Sequence, residues 1–232
     1  MNDLLLYVGP DKRNEELRYA LRTWEKNLKF RKLCVVGGPI PKWFKPNIYI
    51  PNPLKYTKML QCYDDLVIAL QDDRLADDVV IMMDDIFLLK NFGEWRINYN
   101  RGTLSSQIER TGGVENAYNE LVNNTLVELQ KEFDAPLSFE EHLPFVCNRK
   151  KMLGILREYG AEKMPNLLYR SIYGNRFKVP TELKYDCKIR DMHTHIPPNA
   201  DAFSTNALSF RGNAGSFAKF HFQKPSRFEK II

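Results

Sequence analysis

Short apolar runs alternate with segments of helical periodicity over the first 90 residues of this chain. Four runs have the length and composition of strands: residues 4–8, 33–36, 47–50 and 79–83. Residues 15–28 and 59–70 instead place apolar side chains three or four positions apart, which is the spacing of an amphipathic helix. Strands that alternate with helices in this way form a parallel sheet. The sequence therefore predicts an α/β fold with a mostly parallel sheet flanked by helices.

The second half of the chain is less regular. Helical spacing recurs over residues 116–133 and 150–159, but from Pro165 onward the sequence is rich in Asn, Pro, Tyr and Phe and has weak periodicity. No repeat, low-complexity tract or linker divides the chain. We expect one domain over residues 1–232 with an irregular C-terminal third.

The composition excludes several classes of protein. At 232 residues and 44% hydrophobic content, the chain is long enough to bury a core, and its net charge of +5 permits an anionic partner. Its apolar runs are far shorter than the roughly 20 residues that cross a bilayer, and the N-terminus lacks a signal-peptide pattern. Widely spaced cysteines indicate buried thiols: Cys34, Cys62, Cys147 and Cys187. We expect a cytoplasmic protein with no membrane span.

Two adjacent carboxylates, Asp84 and Asp85, follow the apolar run at 79–83. Because unpaired buried carboxylates are costly and adjacent ones repel, we expect the pair at the carboxyl end of a strand, where a cation can neutralise it. Open α/β sheets bind their ligands at this edge. Mg²⁺ and Mn²⁺ prefer oxygen ligands and bring phosphate oxygens with them, which predicts a metal-diphosphate site. The alternative is that the two Asp residues only cap a turn.

Several short segments between residues 16 and 171 occur in a fixed order. They are ELRYALRTW at 16–24, IPKW at 40–43, MDDIF at 83–87, and EEHLPF at 140–145 followed by YRS at 169–171. Together they resemble the Stealth proteins, a family of sugar-phosphate transferases of capsule polysaccharide synthesis that is related to a eukaryotic N-acetylglucosamine phosphotransferase. The chain is shorter than typical members and is similar to compact virus-encoded glycosyltransferases. The resemblance implies a GT-A-like fold, the fold of nucleotide-diphospho-sugar transferases.

The resemblance also implies a metal site and part of a donor site. Asp85 is the first choice as a ligand of Mn²⁺ or Mg²⁺, and Asp84 binds the metal, its water or a ribose of the donor. His221 is the candidate third ligand, although a half-buried histidine with a satisfied hydrogen bond is the alternative. Arg18 and Arg22 lie four residues apart, so both can face donor phosphates from one helix. Alternatively they pair with neighbouring glutamates on a solvated face.

Five further residues complete the predicted site. Lys58, Arg170 and Ser171 are expected to bind the donor. Glu141 and His142 are the catalytic candidates, because a carboxylate or an imidazole can take the proton of an acceptor hydroxyl as a general base. The alternative for Glu141 and His142 is local capping of a loop.

Two groups of basic residues offer a path for a polyanionic acceptor, although solvated surface lysines are the default interpretation. The first group surrounds the predicted nucleotide side, and the second lies in the tail: Lys42, Lys45, Lys55 and Lys58, then Lys219, Lys224, Arg227 and Lys230.

The predicted function is metal-dependent transfer of a sugar from a nucleotide-diphosphate sugar, with a UDP-sugar as the expected donor. Residues 1–100 would form the nucleotide-sugar-binding half and residues 101–232 the acceptor half. The acceptor is a hydroxyl of a glycan or of a modified base, with hydroxymethyl-pyrimidine in bacteriophage DNA as one hypothesis. One alternative is Stealth-like transfer of a sugar-1-phosphate to a glycan. The other is a non-catalytic module that binds nucleic acid or polysaccharide.

Overall fold

The computed structural model of the protein describes residues 1–9, 14–53, 57–113 and 116–230, and within them its centre is a five-stranded sheet. Four neighbouring strands are parallel, in the order β3-β2-β1-β4: β1 (Asp3–Val8), β2 (Leu33–Gly37), β3 (Ile48–Pro51) and β4 (Asp78–Met82). A later strand pairs antiparallel with β4 and closes that side of the sheet, which is therefore mixed. The prediction of an α/β fold with a mostly parallel sheet is confirmed.

Of the five remaining strands that the structure describes, four form two small sheets and one joins the main sheet. The first pairs β5 (Ile86–Leu88) with β9 (Ala202–Ser204) in antiparallel fashion, and the second pairs β6 (Asn98–Asn100) with β8 (Thr181–Leu183) in parallel. The strand beside β4 in the main sheet is β7 (Phe145–Asn148). Through the two small sheets, the C-terminal segments pack against segments that follow β4.

Helices cover both faces of the main sheet. In chain order they are α1 (Glu15–Asn27), α2 (Lys58–Leu70), α3 (Leu104–Arg110), α4 (Ala117–Leu129), α5 (Arg149–Lys163), α6 (Tyr169–Arg176) and α7 (Asn213–His221). Side chains alternate along β1, so Leu4 and Leu6 face a cluster that contains Leu17 and Trp24 of α1, whereas Leu5 faces a cluster built largely from α2 and α5. The sheet is thus buried on both sides, as its continuous apolar strands require.

Three polar side chains of α1 hold the backbone of β5. The indole of Trp24 donates to the carbonyl of Ile86 at 2.7 Å, and the Asn27 amide donates to the carbonyl of Leu88 at 2.6 Å. The backbone N–H of Leu88 donates to the Thr23 hydroxyl oxygen at 3.0 Å. One edge of β5 is therefore satisfied by α1 and the other by β9, so β5 does not extend the main sheet.

The structure refines several sequence expectations. The helix expected over 116–133 ends at Leu129, and the helix expected over 150–159 runs on to Lys163. The sequence does not predict the antiparallel strand β7 and the helix α6, because they have only four and eight residues and show little periodicity. Between residues 177 and 230 the described residues form two three-residue strands, a turn of 3₁₀-helix and α7, which fits the expected irregularity. None of the described helices combines the length and the apolar character needed to cross a membrane.

The hydrogen bond from Trp24 can be tested against a second buried tryptophan. Trp95 is also buried, but its indole N–H has no hydrogen-bond partner among the described residues. Trp24→Phe and Trp95→Phe remove similar side-chain volumes. Only Trp24→Phe removes the hydrogen-bond donor of a buried carbonyl group, that of Ile86. We expect Trp24→Phe to lower the free energy of unfolding by about 1–3 kcal/mol more than Trp95→Phe, measured by urea denaturation with circular dichroism. Equal losses would contradict the role given to Trp24.

Candidate functional site

A cavity of about 880 Å³ opens at the carboxyl edge of the parallel strands. The residues that directly follow β1, β2 and β3 all line it: Gly9, Gly38 and Asn52. Asp84 and Asp85 follow β4 by one residue and line the same cavity. Helix α4 contributes one wall, and the loops after β9 and before β7 contribute others. The acidic pair therefore lies where open α/β sheets bind ligands, as the sequence predicts.

Asp84 is held from the start of α1. The Asn14 amide donates to Oδ2 of Asp84 at 2.8 Å, while the Asn14 side-chain oxygen accepts the backbone N–H of Leu17 at 3.0 Å and caps the helix. Asn14 has a left-handed backbone with φ of 32°, which asparagine tolerates better than most residues. A single side chain thus couples the helix terminus to the acidic pair.

Asp85 faces two basic side chains. Its Oδ2 lies 3.5 Å from Nδ1 of His142 and 3.7 Å from Nζ of Lys188, while Oδ1 is buried without a hydrogen-bond partner among the described residues. Burial alone would raise the pKa of Asp85, but His142 and Lys188 outweigh it and lower the pKa overall. Asp85 is therefore an ionised carboxylate with one oxygen still able to accept a ligand.

A third carboxylate, Glu16, joins the acidic pair. The hydroxyl of Thr205 donates to Oε1 of Glu16, and Thr205 is brought there because its backbone N–H also donates to the carbonyl of Asp85 at 3.1 Å. Burial raises the pKa of Glu16 to about 7, and the neighbouring charges of Asp84 and Asp85 add to the rise. Glu16 was not among the predicted site residues.

The two catalytic candidates occupy different environments. Glu141 is buried, with Oε1 at 2.6 Å from Nε of Arg101 and Oε2 accepting the backbone N–H of Asp186 at 2.5 Å. The carboxylate of Asp186 accepts the backbone N–H of His142 at 2.9 Å. Burial, together with Asp186, raises the pKa of Glu141 to about 7 despite Arg101. Glu141 thus supports the loop, whereas the imidazole of His142 faces Asp85 and Lys188.

Arg170 provides a buried cation. Its Nη1 donates to the carbonyl oxygens of Glu141 and Leu143 at 3.0 and 3.3 Å, whereas Nη2 is buried with no hydrogen-bond partner in the described parts of the chain. The Tyr169 side chain and the Glu140 carboxylate nevertheless interact with the guanidinium, so Arg170 has partners within the chain. Ser171 does not line the cavity itself, and its hydroxyl donates at 2.9 Å to the carboxylate of Glu140, a half-buried residue that does line it.

A polar wall of two amides and a carboxylate lies at the end of β3 and the start of α2. The amides of Asn52 and Gln61 both donate to Oδ1 of Asp65, at 2.8 and 3.0 Å, and all three side chains are buried and line the cavity. Burial raises the pKa of Asp65, although these two hydrogen bonds act in the opposite direction. Lys58 begins α2 and is exposed on the same side of the cavity.

Three predicted site residues lie elsewhere. Arg22 donates through Nε and Nη2 to the two carboxylate oxygens of Glu229, each at 2.8 Å, and Arg18 lies 4.6 Å from the ring centroid of Trp43. Their four-residue spacing therefore serves to anchor the C-terminal segment on α1, and neither residue lines the cavity. His221 ends α7, is exposed and packs on Phe217 with ring centroids 4.3 Å apart.

The residues present fit a divalent ion that takes most of its ligands from substrate and water. No group of three or more His, Cys, Asp and Glu side chains in the described residues is arranged to hold a metal, so the predicted set of Asp84, Asp85 and His221 does not form. The partnerless Oδ1 of Asp85 and the adjacent Asp84 carboxylate are nevertheless hard oxygen ligands. Mg²⁺ is commonly bound through one or two carboxylates together with phosphates and waters. Asp84 and Asp85 suit such an ion.

Most of the residues in the two predicted basic groups lie on the surface and not in the cavity. Lys219 lies 2.9 Å from Glu15, and Arg227 lies 3.6 Å from Glu25. Lys42, Lys45, Lys224 and Lys230 are exposed and do not line the cavity, and Lys55 is outside the described residues. The side chain of Lys58 is thus the part of these groups that reaches the cavity.

No protein-family model matches the chain, and comparison with curated proteins also gives no match. The site is therefore interpreted from its own geometry. Sequence reasoning missed Asn14, Glu16 and Lys188. The first two carry a usable signal, since they open the helix that follows β1 and hence face the same edge as the acidic pair. Lys188 lies in the irregular segment, where no periodicity indicates its position.

The raised pKa of Glu16 predicts a pH-dependent effect of Glu16→Gln. Between the ordinary value of 4.5 and about 7, the folded protein binds a proton at Glu16 that the unfolded chain has lost. Stability from this group is therefore present below about pH 4.5 and is lost as the pH rises through about 7. Glutamine keeps an acceptor for Thr205 and removes the charge. We expect the stability of the variant relative to wild type to rise by about 2 kcal/mol between pH 5 and pH 8, measured by urea denaturation.

Glu15→Gln is the matched control, because Glu15 precedes Glu16 but is exposed and pairs with Lys219, a surface lysine. It should stay within about 0.5 kcal/mol of wild type at both pH values. A stability difference for Glu16→Gln that is the same at pH 5 and pH 8 would refute the proposed environment of Glu16.

Proposed function

We propose that the protein is a metal-dependent glycosyltransferase that moves a sugar from a nucleotide-diphosphate sugar to an acceptor hydroxyl. The observation that carries the proposal is the position of Asp84 and Asp85. They follow β4, which pairs with β1 in the parallel part of the sheet, and they face a large cavity that also contains basic side chains. A paired carboxylate at this edge suits a metal that bridges a diphosphate.

The distribution of charge in the cavity supports a bound diphosphate. Three cationic side chains among the described residues line the cavity, those of Lys58, Arg170 and Lys188, together with six carboxylates: Glu16, Asp65, Asp84, Asp85, Glu140 and Glu141. Phosphate oxygens are strong acceptors for guanidinium and ammonium donors. The carboxylates alone would repel a diphosphate, whereas a divalent ion held by Asp84 and Asp85, together with these three cations, would attract it.

The wall of Asn52, Gln61 and Asp65 supports a nucleoside at the other end of the donor. These side chains are held in place by their mutual hydrogen bonds, and buried amide and carboxylate groups suit ribose hydroxyls and the edge of a base. The strand order β3-β2-β1-β4 with an antiparallel β7 is compatible with a GT-A-like fold. Donor specificity for a UDP-sugar is part of the proposal.

The chain's own groups support the transfer step. A metal bound at Asp84 and Asp85 would offset the negative charge that develops on the leaving diphosphate. The backbone of His142 is held by Asp186, and its imidazole lies in the cavity beside Asp85 and Lys188, so it is the candidate base for the acceptor hydroxyl. Arg170 and Lys188 would hold the departing phosphates. The acceptor is a hydroxyl of a glycan or of a hydroxymethyl-pyrimidine in DNA.

Sugar-1-phosphate transfer is a second candidate. His142 and Arg170 lie in the segments at 140–145 and 169–171 that resemble Stealth proteins, and both line the cavity. The resemblance to a family of sugar-phosphate transferases is what supports this second reaction. The leaving group would then be a nucleoside monophosphate instead of a diphosphate.

The first experiment measures ligand binding through thermal stability. A nucleotide that binds only the folded protein must raise the unfolding midpoint. We expect UDP or a UDP-sugar to raise the midpoint of the wild-type protein by several degrees with Mn²⁺, and Asp85→Asn to abolish the metal-dependent part. Asp78→Asn is the matched control, since Asp78 begins the same strand at the opposite edge of the sheet, and it should respond like wild type.

If no nucleotide or nucleotide sugar shifts the midpoint, with or without metal, the transferase proposal fails and a non-catalytic binding module takes its place. If nucleotides bind, chromatographic analysis of the products from a UDP-sugar separates the two transfer reactions. UDP as product supports glycosyl transfer, whereas UMP supports sugar-1-phosphate transfer.

A further inference from the structure

Lys188 places an ammonium group beside one carboxylate oxygen of Asp85. Its Nζ lies 3.7 Å from Oδ2 of Asp85 and 3.1 Å from each ring nitrogen of His142. Only 17% of its side chain is exposed, and it lines the cavity. A cation supplied by the chain itself therefore neutralises Asp85, which removes part of the need for an external ion.

The backbone around Lys188 is fixed. The N–H of Ile189 donates to the carbonyl of Ser204 at 2.8 Å, and the Asp186 carboxylate accepts the N–H of His142. Nζ nevertheless ends a four-carbon stem with several rotatable bonds, so the charge can move while the backbone stays in place. Asp85 and a phosphate in the cavity are alternative partners for the same ammonium group.

We propose that Lys188 is an internal counterion of Asp85 that competes with a free divalent ion and is drawn off by the diphosphate of the donor. Metal and nucleotide then bind cooperatively. Without nucleotide, a metal must displace or tolerate the ammonium group beside its ligand. With nucleotide, the phosphates would draw Lys188 away from Asp85, which would leave His142 as the neighbour of Oδ2 and lower the cost of placing a metal beside the carboxylate. The cooperative half of this inference rests on the proposed function, whereas the competition between Lys188 and the metal does not.

The test measures Mn²⁺ binding in the absence of nucleotide. Binding is detected as a loss of the electron paramagnetic resonance signal of the free ion. Lys188→Met keeps the length of the side chain and removes its charge, so the dissociation constant for Mn²⁺ should fall at least about tenfold. Lys188→Arg keeps the charge and should bind Mn²⁺ as weakly as wild type. Adding Asp85→Asn to Lys188→Met should abolish the gain, which assigns it to the acidic pair.

Lys184→Met is the control for net charge. It removes one positive charge four residues away, where Lys184 pairs with Asp201 outside the cavity, and Lys90 remains to pair with Asp201. Its Mn²⁺ affinity should change less than about twofold. An affinity of Lys188→Met that equals or falls below wild type would overturn the proposal, and so would an equal gain in Lys184→Met. Circular dichroism checks that each variant is folded.

The same titrations in saturating UDP test cooperativity. UDP should tighten Mn²⁺ binding to the wild-type protein, and by linkage Mn²⁺ should tighten UDP binding by the same factor. In Lys188→Met this factor should fall at least about fivefold, because there is no ammonium group left to draw off. An undiminished factor would overturn the cooperative half. If UDP binds to neither protein, the proposed function fails, and the nucleotide-free comparison still decides whether Lys188 competes with metal.

Discussion

The position of the acidic pair depends on how α1 holds the short strand β5. The side chains of Thr23, Trp24 and Asn27 satisfy backbone groups of β5 that would otherwise need a strand partner. The chain therefore leaves the main sheet after β4, and Asp84 and Asp85 form the turn between two sheets. Because Asn14 opens the same helix and donates to Asp84, α1 fixes the acidic pair from both of its ends. The opposite edge of β5 pairs with β9, which brings Thr205 beside Asp85.

The cavity brings together several carboxylates that would repel one another if no basic side chains lay beside them. Glu16, Asp84 and Asp85 lie together, and the structure offsets them with His142 and Lys188 and with a raised pKa at Glu16. Two further carboxylates lie behind His142, those of Glu141 and Asp186. Their charges are offset by an ion pair with Arg101. Arg170 donates to the carbonyl oxygens of Glu141 and Leu143 and interacts with Tyr169 and Glu140, so its charge is also balanced within the chain.

Local sequence pattern predicts the strands and helices around Asp84 and Asp85. Their periodicity is clear, so the edge of the sheet at which the pair lies follows from the amino-acid sequence alone. Contacts between distant segments do not follow from it. Arg22 has the spacing of a phosphate-binding pair, yet its partner Glu229 is 207 residues away. Glu16 and Thr205 are 189 residues apart. Lys188 reaches Asp85 only because the irregular segment folds back through β9.

Binding of a metal together with a nucleoside diphosphate at Asp84 and Asp85 can be observed in a crystal structure with UDP and Mn²⁺, with anomalous data collected at the manganese edge. We expect an anomalous peak within about 2.5 Å of a carboxylate oxygen of Asp85, with the diphosphate beside it in the cavity and close to Lys188 and Arg170. Manganese and nucleotide bound together at another surface, with this cavity holding neither, would contradict the role given to the acidic pair.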